Sequence, residues 1–287
     1  MNTRDLQIYA TGLTWGEGPR RHAGALWVSD TQASRLWTDA GGTWRATELD
    51  SPANGLWFLP DGTLVAAMMT EPRLGVWNGA GFDTYADLTA LASGALGDLV
   101  GDRAGNLYVD DVGYAPHKGE APRPGRVLRV GTDRTVRVAA EGVRFPNGLA
   151  LIDDETTLVV AETAAQRLTA FDVGPTGALS GRRTYADLAA LVGPAARPDG
   201  IWPVHDGGIW VATTSGHAVV KVRDGELLDS IDTGDGYPIA CCADGRLLYV
   251  TVADAHGQDL MRALAAKTVE TAVATATLDA TPLRHTP

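Results

Sequence analysis

Arg197-Pro198-Asp199-Gly200-Ile201-Trp202, followed by the turn Asp206-Gly207-Gly208 and the run Ile209-Trp210-Val211-Ala212, is the stretch on which the fold turns. A carboxylate at a Pro/Gly turn opens an apolar run, and after a tight turn a second β-like run returns. The arrangement recurs. Pro52-Ala53-Asn54-Gly55-Leu56-Trp57 leads through Pro60-Asp61-Gly62 to Leu64-Val65-Ala66-Ala67. Leu96-Gly97-Asp98-Leu99-Val100 leads through Ala104-Gly105 to Leu107-Tyr108-Val109, and Phe145-Pro146-Asn147-Gly148-Leu149 through Asp153-Asp154 to Leu158-Val159-Val160. Each time a short polar side chain opens a strand that a hairpin folds back on. A hairpin alone requires neither a carboxylate nor an amide at that point.

With Glu17, Asn54, Asp98, Asn147, Asp199 and Tyr237 as unit starts, the spacings are 37, 44, 49, 52 and 38 residues. That is the length of a four-stranded propeller blade, about 40–50 residues. Thr84-Tyr85-Ala86-Asp87-Leu88 recurs as Thr184-Tyr185-Ala186-Asp187-Leu188, 14 and 15 residues before Asp98 and Asp199. Two copies of one blade boundary explain the recurrence. The spacing therefore predicts an all-β chain, one six-bladed β-propeller domain over residues 1–287, with Leu6 to Ala10 pairing with the last blade so that no sheet edge stays free. A short helix is expected within Ala186 to Ala196. The insert Gly113 to Pro124 is too long for a hairpin and is read as a lid or a tolerated surface loop; His117 within it is read as a loop histidine.

Composition narrows the function. Lys plus Arg (24) against Asp plus Glu (35) gives a net charge of −11, which disfavours nucleic acid and anionic membranes as partners. No run approaches the roughly 18 apolar residues of a membrane span, and the N-terminus shows no apolar signal core. The two cysteines, Cys241 and Cys242, are adjacent, so a bridge between them would be strained; they read as small buried strand residues, and a cytoplasmic setting fits. There is no G-x-S-x-G, phosphate loop or H-E-x-x-H.

In a propeller, equivalent positions of successive innermost strands converge on the axis. Glu17, Asn54, Asp98, Asn147 and Asp199 would then form an oxygen-rich ring. Crowded carboxylates repel, so a cation or a proton must relieve them, and hard divalent ions such as Ca²⁺, Mg²⁺ or Mn²⁺ take such oxygens. The plain reading stands beside it: Asn and Asp before Gly are the commonest turn residues, as Asp61, Asp206 and Asp244 are read here.

The ordered set Glu17-Gly18-Pro19, Leu26-Trp27-Val28-Ser29-Asp30, Asn54-Gly55-Leu56, Phe145-Pro146-Asn147-Gly148-Leu149, Pro198-Asp199-Gly200-Ile201 and Leu248-Tyr249-Val250-Thr251 resembles the gluconolactonase, senescence-marker-protein (regucalcin) and luciferin-regenerating-enzyme family. The resemblance implies a six-bladed propeller with one divalent cation at the channel mouth, Ca²⁺ first, with Mg²⁺, Mn²⁺, Zn²⁺ or Fe²⁺ as alternatives. It implies Glu17, Asn147 and Asp199 as metal ligands and Asp199 as general base. Asn54, Gly97, Asp98 and, on the insert, Glu120 are the expected substrate-binding positions. The implied activity is hydrolysis of a lactone or related cyclic ester, a small-molecule substrate. The alternatives are another metal-assisted reaction on a specialised metabolite, and a non-catalytic binding propeller.

The chain departs from the pattern in two places. The sixth blade reads Cys242-Ala243-Asp244-Gly245 where the family has Phe-Gly-Gly, a difference read as structural. The third blade opens Gly97-Asp98 where the family has Asn-Asp. The expectation is an open space beside the metal at Gly97, favouring a bulkier or more apolar substrate than a sugar lactone; the plain alternative is that Asp98 or a water replaces the missing amide and leaves the position neutral.

Overall fold

A computed structural model describes residues 5–115 and 118–279. His117 therefore lies outside the described residues. The first strand, β1 (Gln7–Leu13), does not belong to the first sheet. Blade one comprises β2 (Gly16–His22), β3 (Ala25–Asp30), β4 (Arg35–Thr38) and β5 (Arg45–Glu48). Blade two comprises β6 (Ala53–Phe58), β7 (Leu64–Met68), β8 (Arg73–Trp77) and β9 (Phe82–Asp87). Blade three comprises β10 (Leu96–Gly101), β11 (Leu107–Asp111), β12 (Gly125–Val130) and β13 (Val136–Val143). Blade four comprises β14 (Pro146–Ile152), β15 (Thr157–Glu162), β16 (Arg167–Val173) and β17 (Leu179–Asp187). Blade five comprises β18 (Pro198–Pro203), β19 (Ile209–Thr213), β20 (Ala218–Arg223) and β21 (Glu226–Asp232). Blade six runs β22 (Tyr237–Asp244), β23 (Leu247–Asp254), β24 (Glu270–Thr277) and then β1 as its outermost strand.

The chain is thus a six-bladed β-propeller built from six four-stranded antiparallel sheets. The first strand of each blade contacts that of the next, and β2 contacts β22, so these strands form a closed inner ring. β1 pairs antiparallel with β24, Gln7 opposite Thr275 and Leu13 opposite Thr271, as the leftover N-terminal strand predicts. Apolar side chains fill the wedges between blades. Val65, Leu74, Leu99, Leu107 and Leu128 pack between the second and third, and Leu168, Ile201, Val211 and Val220 between the fourth and fifth. Both Tyr-Ala-Asp-Leu copies end an outermost strand and bury their Ala and Leu in these wedges: Ala86 and Leu88 in one, Ala186 and Leu188 in the other.

Among the described residues two short α-helices lie between strands. α1 (Leu188–Leu191) occupies part of the expected segment, with the Asp187 side chain accepting the Ala190 N–H. α2 (Leu260–Ala266), between the last two long strands, was not expected. Its signal is local: Asp259 accepts the Arg262 N–H as N-cap, and an Ala- and Leu-rich turn follows. Cys241 and Cys242 are buried and free on β22. No helix among the described residues is long and apolar enough to cross a membrane.

The innermost strands share one irregularity, and it is what aims the site. In blades two to five, two residues oppose one on the neighbouring strand: Asn54-Gly55, Gly97-Asp98, Asn147-Gly148 and Asp199-Gly200 face Ala67, Asp110, Ala161 and Ala212. In blade one Gly18-Pro19 does so, just after Glu17. These β-bulges turn a side chain out of the sheet's alternation. The glycine after Asn147 is a packing requirement: a Cβ on Gly148 would lie 2.5 Å from Asp199 O and Ile201 N of the next blade. Close approach of the inner strands is thus what places a polar group from each of the first five blades near the axis.

Candidate metal centre on the inner ring

Glu17 and Asp199 are buried, with 8 % and 7 % of their surface exposed. Trp15 Nε1 donates to Glu17 Oε1 at 2.9 Å. The Trp15 loop is itself held by Asp30, whose carboxylate accepts Trp15 N at 3.0 Å and Thr14 N at 2.9 Å. Thr214 Oγ1 donates to Asp199 Oδ2 at 3.0 Å, and the Asn147 side chain donates to the same carboxylate. Asp199 Oδ1 is buried without any hydrogen-bond partner.

Both acids resist ionisation. Burial, above all, pushes Asp199 up to about 7; the charge of Asp98 adds to this, while the bonds from Thr214 and Asn147 oppose it. Burial likewise raises Glu17 well above the carboxylate range, and the Asp199 charge is the next cause. Each acid therefore feels the other, and Asn147 bonds one of them. This trio fits a divalent cation on three grounds: two anionic donors, a neutral amide, and an unpartnered buried oxygen on Asp199. Among the described residues no group of three His, Cys, Asp or Glu side chains forms a metal cage; the third donor here is an amide.

Asp98 is engaged elsewhere. Its Oδ1 accepts Arg20 Nη2 at 2.9 Å and Leu99 N at 2.8 Å. Burial raises its pKa, and the Arg20 charge is the main opposing influence. Asn54 is half-buried at the second-blade bulge, and Ser29 Oγ lies within hydrogen-bond distance of both the Glu17 and Asn54 carbonyl oxygens. Glu120 serves the insert: its Oε2 accepts Ala115 N at 3.0 Å and lies 3.5 Å from Arg123 Nη2.

The expectation at Gly97 needs correction. A Cβ there would lie 2.5 and 2.6 Å from the two carboxylate oxygens of Asp110, so no open space exists. Asp110 fills it and accepts Gly97 N at 3.0 Å and Asp98 N at 2.7 Å, satisfying the bulge. The strand register explains the substitution. Gly97 stands where the other blades place Asn54, Asn147 and Asp199, and Asp98 stands at the following glycine position.

Arg20, Asp110, Trp15 and Thr214 were not singled out from the sequence, yet the repeat marks three of them. Arg20 occupies the position of Leu56, Leu99, Leu149 and Ile201, and Asp110 that of Ala67, Ala161 and Ala212. Thr214 recurs as Thr31 and Thr163. All three N–H groups donate at 3.0 Å to the carbonyls of Arg197, Trp15 and Phe145, ahead of the respective inner strands.

Comparison with known proteins adds kinship to this geometry. A sequence model of the "SMP-30/Gluconolactonase/LRE-like region" matches residues 15–254. Pentonolactonase XacC of Haloferax volcanii is 30% identical over 165 residues, 56% of this chain and 54% of that protein. The matched stretch thus spans about half the length of that relative. A luciferin-regenerating enzyme structure superimposes with a TM-score of 0.77 at 19% identity, covering 96% of this chain and 98% of the other. A gluconolactonase from Xanthomonas campestris gives 0.76 at 22% identity, covering 96% and 89%. A calcium-binding regucalcin from Agrobacterium tumefaciens gives 0.75 at 18%, covering 97% and 98%. At these identities the structural likeness speaks for the fold.

Proposed function

The chain belongs to the SMP-30/gluconolactonase/LRE-like family, and on that premise we propose that it is a divalent-metal-dependent hydrolase of a lactone or related cyclic ester. The observation that carries the reading is the buried, unpartnered Oδ1 of Asp199 beside the Glu17 carboxylate and the Asn147 amide. Relatives named for pentonolactone and gluconolactone hydrolysis, and a calcium-binding regucalcin of the same fold, support it.

A cation held by Glu17, Asn147 and Asp199, with Ca²⁺ the first candidate, would supply Lewis-acid polarisation of the ester carbonyl. The protein's own groups supply the rest. Asp199, whose Oδ1 has no partner of its own, is the carboxylate placed to take the proton of the attacking water. Thr214 and Asn147 hold its carboxylate in place, and Trp15 holds that of Glu17. Water adds to the carbonyl carbon, the ring C–O bond breaks, and the leaving oxygen takes up the proton, giving the open hydroxy acid. Asn54, on the adjacent blade, offers an amide to the substrate's polar edge.

The test follows acid release from a panel of sugar and alkyl lactones with added Ca²⁺, Mg²⁺, Mn²⁺ or Zn²⁺, alongside calorimetric cation titration. Asn147→Ala is expected to weaken cation affinity, and Asp199→Asn to reduce turnover by about a hundredfold or more even at saturating cation. Full activity in Asp199→Asn would refute the assignment.

A further inference from the structure

Arg20 is the one arginine among the described residues that is wholly buried, at 4 % exposure. It follows Glu17 by three residues on the inner strand of blade one, at a position where the other blades carry Leu or Ile. Its Nη2 donates to Asp98 Oδ1 at 2.9 Å and to Leu99 O at 3.2 Å, and its Nη1 to Pro19 O at 2.9 Å. The guanidinium carbon sits 5.5 Å from the Trp57 ring centre and 5.2 Å from that of Trp202. Arg20 therefore joins four blades across the ring.

Its partner is the informative part. Asp98 stands in the third-blade bulge against that of blade two, where a Cβ on Gly55 would lie 2.5 Å from its Oδ1, and its charge acts on both Glu17 and Asp199. Asp110 also acts on Glu17, but its oxygens are held by Gly97 N and Asp98 N. Were Asp98 free, it would add one more carboxylate to the charge facing a cation; bonded to Arg20, it does not. We propose, on the reading of the metal centre given above, that Arg20 is a positioning residue. It withdraws Asp98 from cation binding and so sets the centre's preference for divalent over trivalent ions. Its place beside the neighbouring Trp57 and Trp202 rings, whose centres lie 6.4 Å apart, keeps the charge on Asp98 in a dry setting, where the pair is screened little.

Calorimetric titration of the full chain with Ca²⁺ and with Tb³⁺, at about pH 8, tests the idea. Arg20→Met keeps an unbranched apolar stem beside the tryptophans while removing the charge. It is expected to raise the Tb³⁺/Ca²⁺ affinity ratio about tenfold or more, because one extra negative charge attracts a trivalent ion more strongly than a divalent one. Asp98→Asn with Arg20 intact leaves an uncompensated positive charge, and the ratio is expected to fall by a similar factor. The double variant is expected to return to within about threefold of wild type, the signature of coupled neighbours. A merely structural loss would weaken both ions together and leave the ratio in place. Should Arg20→Met fail to fold, the ratio in Asp98→Asn decides alone. An unchanged ratio in either folded variant overturns the inference. A wild-type chain that binds neither ion overturns the metal centre, and the role of Arg20 with it.

Discussion

At Gly97 a Cβ would meet both oxygens of Asp110 within 2.6 Å, and that carboxylate has its own two backbone N–H bonds to keep. Gly97→Asn is accordingly expected to destabilise the fold by about 1–3 kcal/mol, the usual cost of overpacking, rather than to retune the substrate. Urea unfolding measures it, and combining the change with Asp110→Ala should recover much of the loss. A fully stable Gly97→Asn would mean that Asp110 swings away freely. Burial alone does not mark a carboxylate as functional. Glu162 is as buried as any, yet bonds from Thr169, Arg144 N and Arg167 outweigh its desolvation and leave it below the usual range. Asp199 has fewer donors, keeps one oxygen unmatched and rises to about 7. The number of donors separates scaffold acid from site acid.

Among the elements, β1 has the most consequence for its size. It buries Ala10 and Leu13 against the sixth blade, covers β24, and brings Tyr9 edge-on to Tyr249 at 5.4 Å. Truncation through Leu13 would leave β24 as a bare edge and open the seam between first and last blades. The expected outcome is a lower thermal midpoint and aggregation on heating, read by light scattering during a melt. A truncated chain that melts like the full one would show that closure rests on inner-strand contacts alone. The described part of the insert after β11 has its own anchors. Asp111 accepts Ser93 N and Gly113 N, and Arg123 donates to the carbonyls of Ser93 and Gly113. Through these bonds the insert is tied to the start of blade three.

For the whole molecule, the buried acids link stability to pH. Asp199 and Glu17 have folded-state pKa values raised above their unfolded ones. Between about pH 4 and pH 7 the unfolded chain has released these protons while the folded chain still holds them, so stability falls as pH rises through that window. For Asp199 alone the effect is on the order of 4 kcal/mol. In the presence of a chelator, thermal midpoints are therefore expected to drop across this window. Asp199→Asn should flatten the drop, which separates it from general repulsion within a chain of net charge −11. Saturating Ca²⁺ near neutral pH should restore what the ionised pair costs, because only the folded state assembles the ligands. A flat profile in the chelated wild type would refute the raised pKa values.

Much of the architecture was legible because a propeller repeats itself along the chain: Asn54-Gly55, Asn147-Gly148 and Asp199-Gly200 carry the same instruction at blade spacing, and the two Tyr-Ala-Asp-Leu copies mark the same boundary. The repeat also brought forward Glu17, Asn54, Asp98, Asn147 and Asp199 as a polar set; that Glu17, Asn147 and Asp199 are the candidate ligands among them is what the family resemblance implied. What it did not reveal was pairing across blades. Arg20 and Asp98 are 78 residues apart and meet only because the inner strands close into a ring. Asp110 fills the place of a side chain at Gly97 only because a bulge sets two residues against one. Repetition determined which residues face the axis; the tertiary structure decided which of those charges are already spent on each other, because electrostatic pairing depends on distance in space and not along the chain.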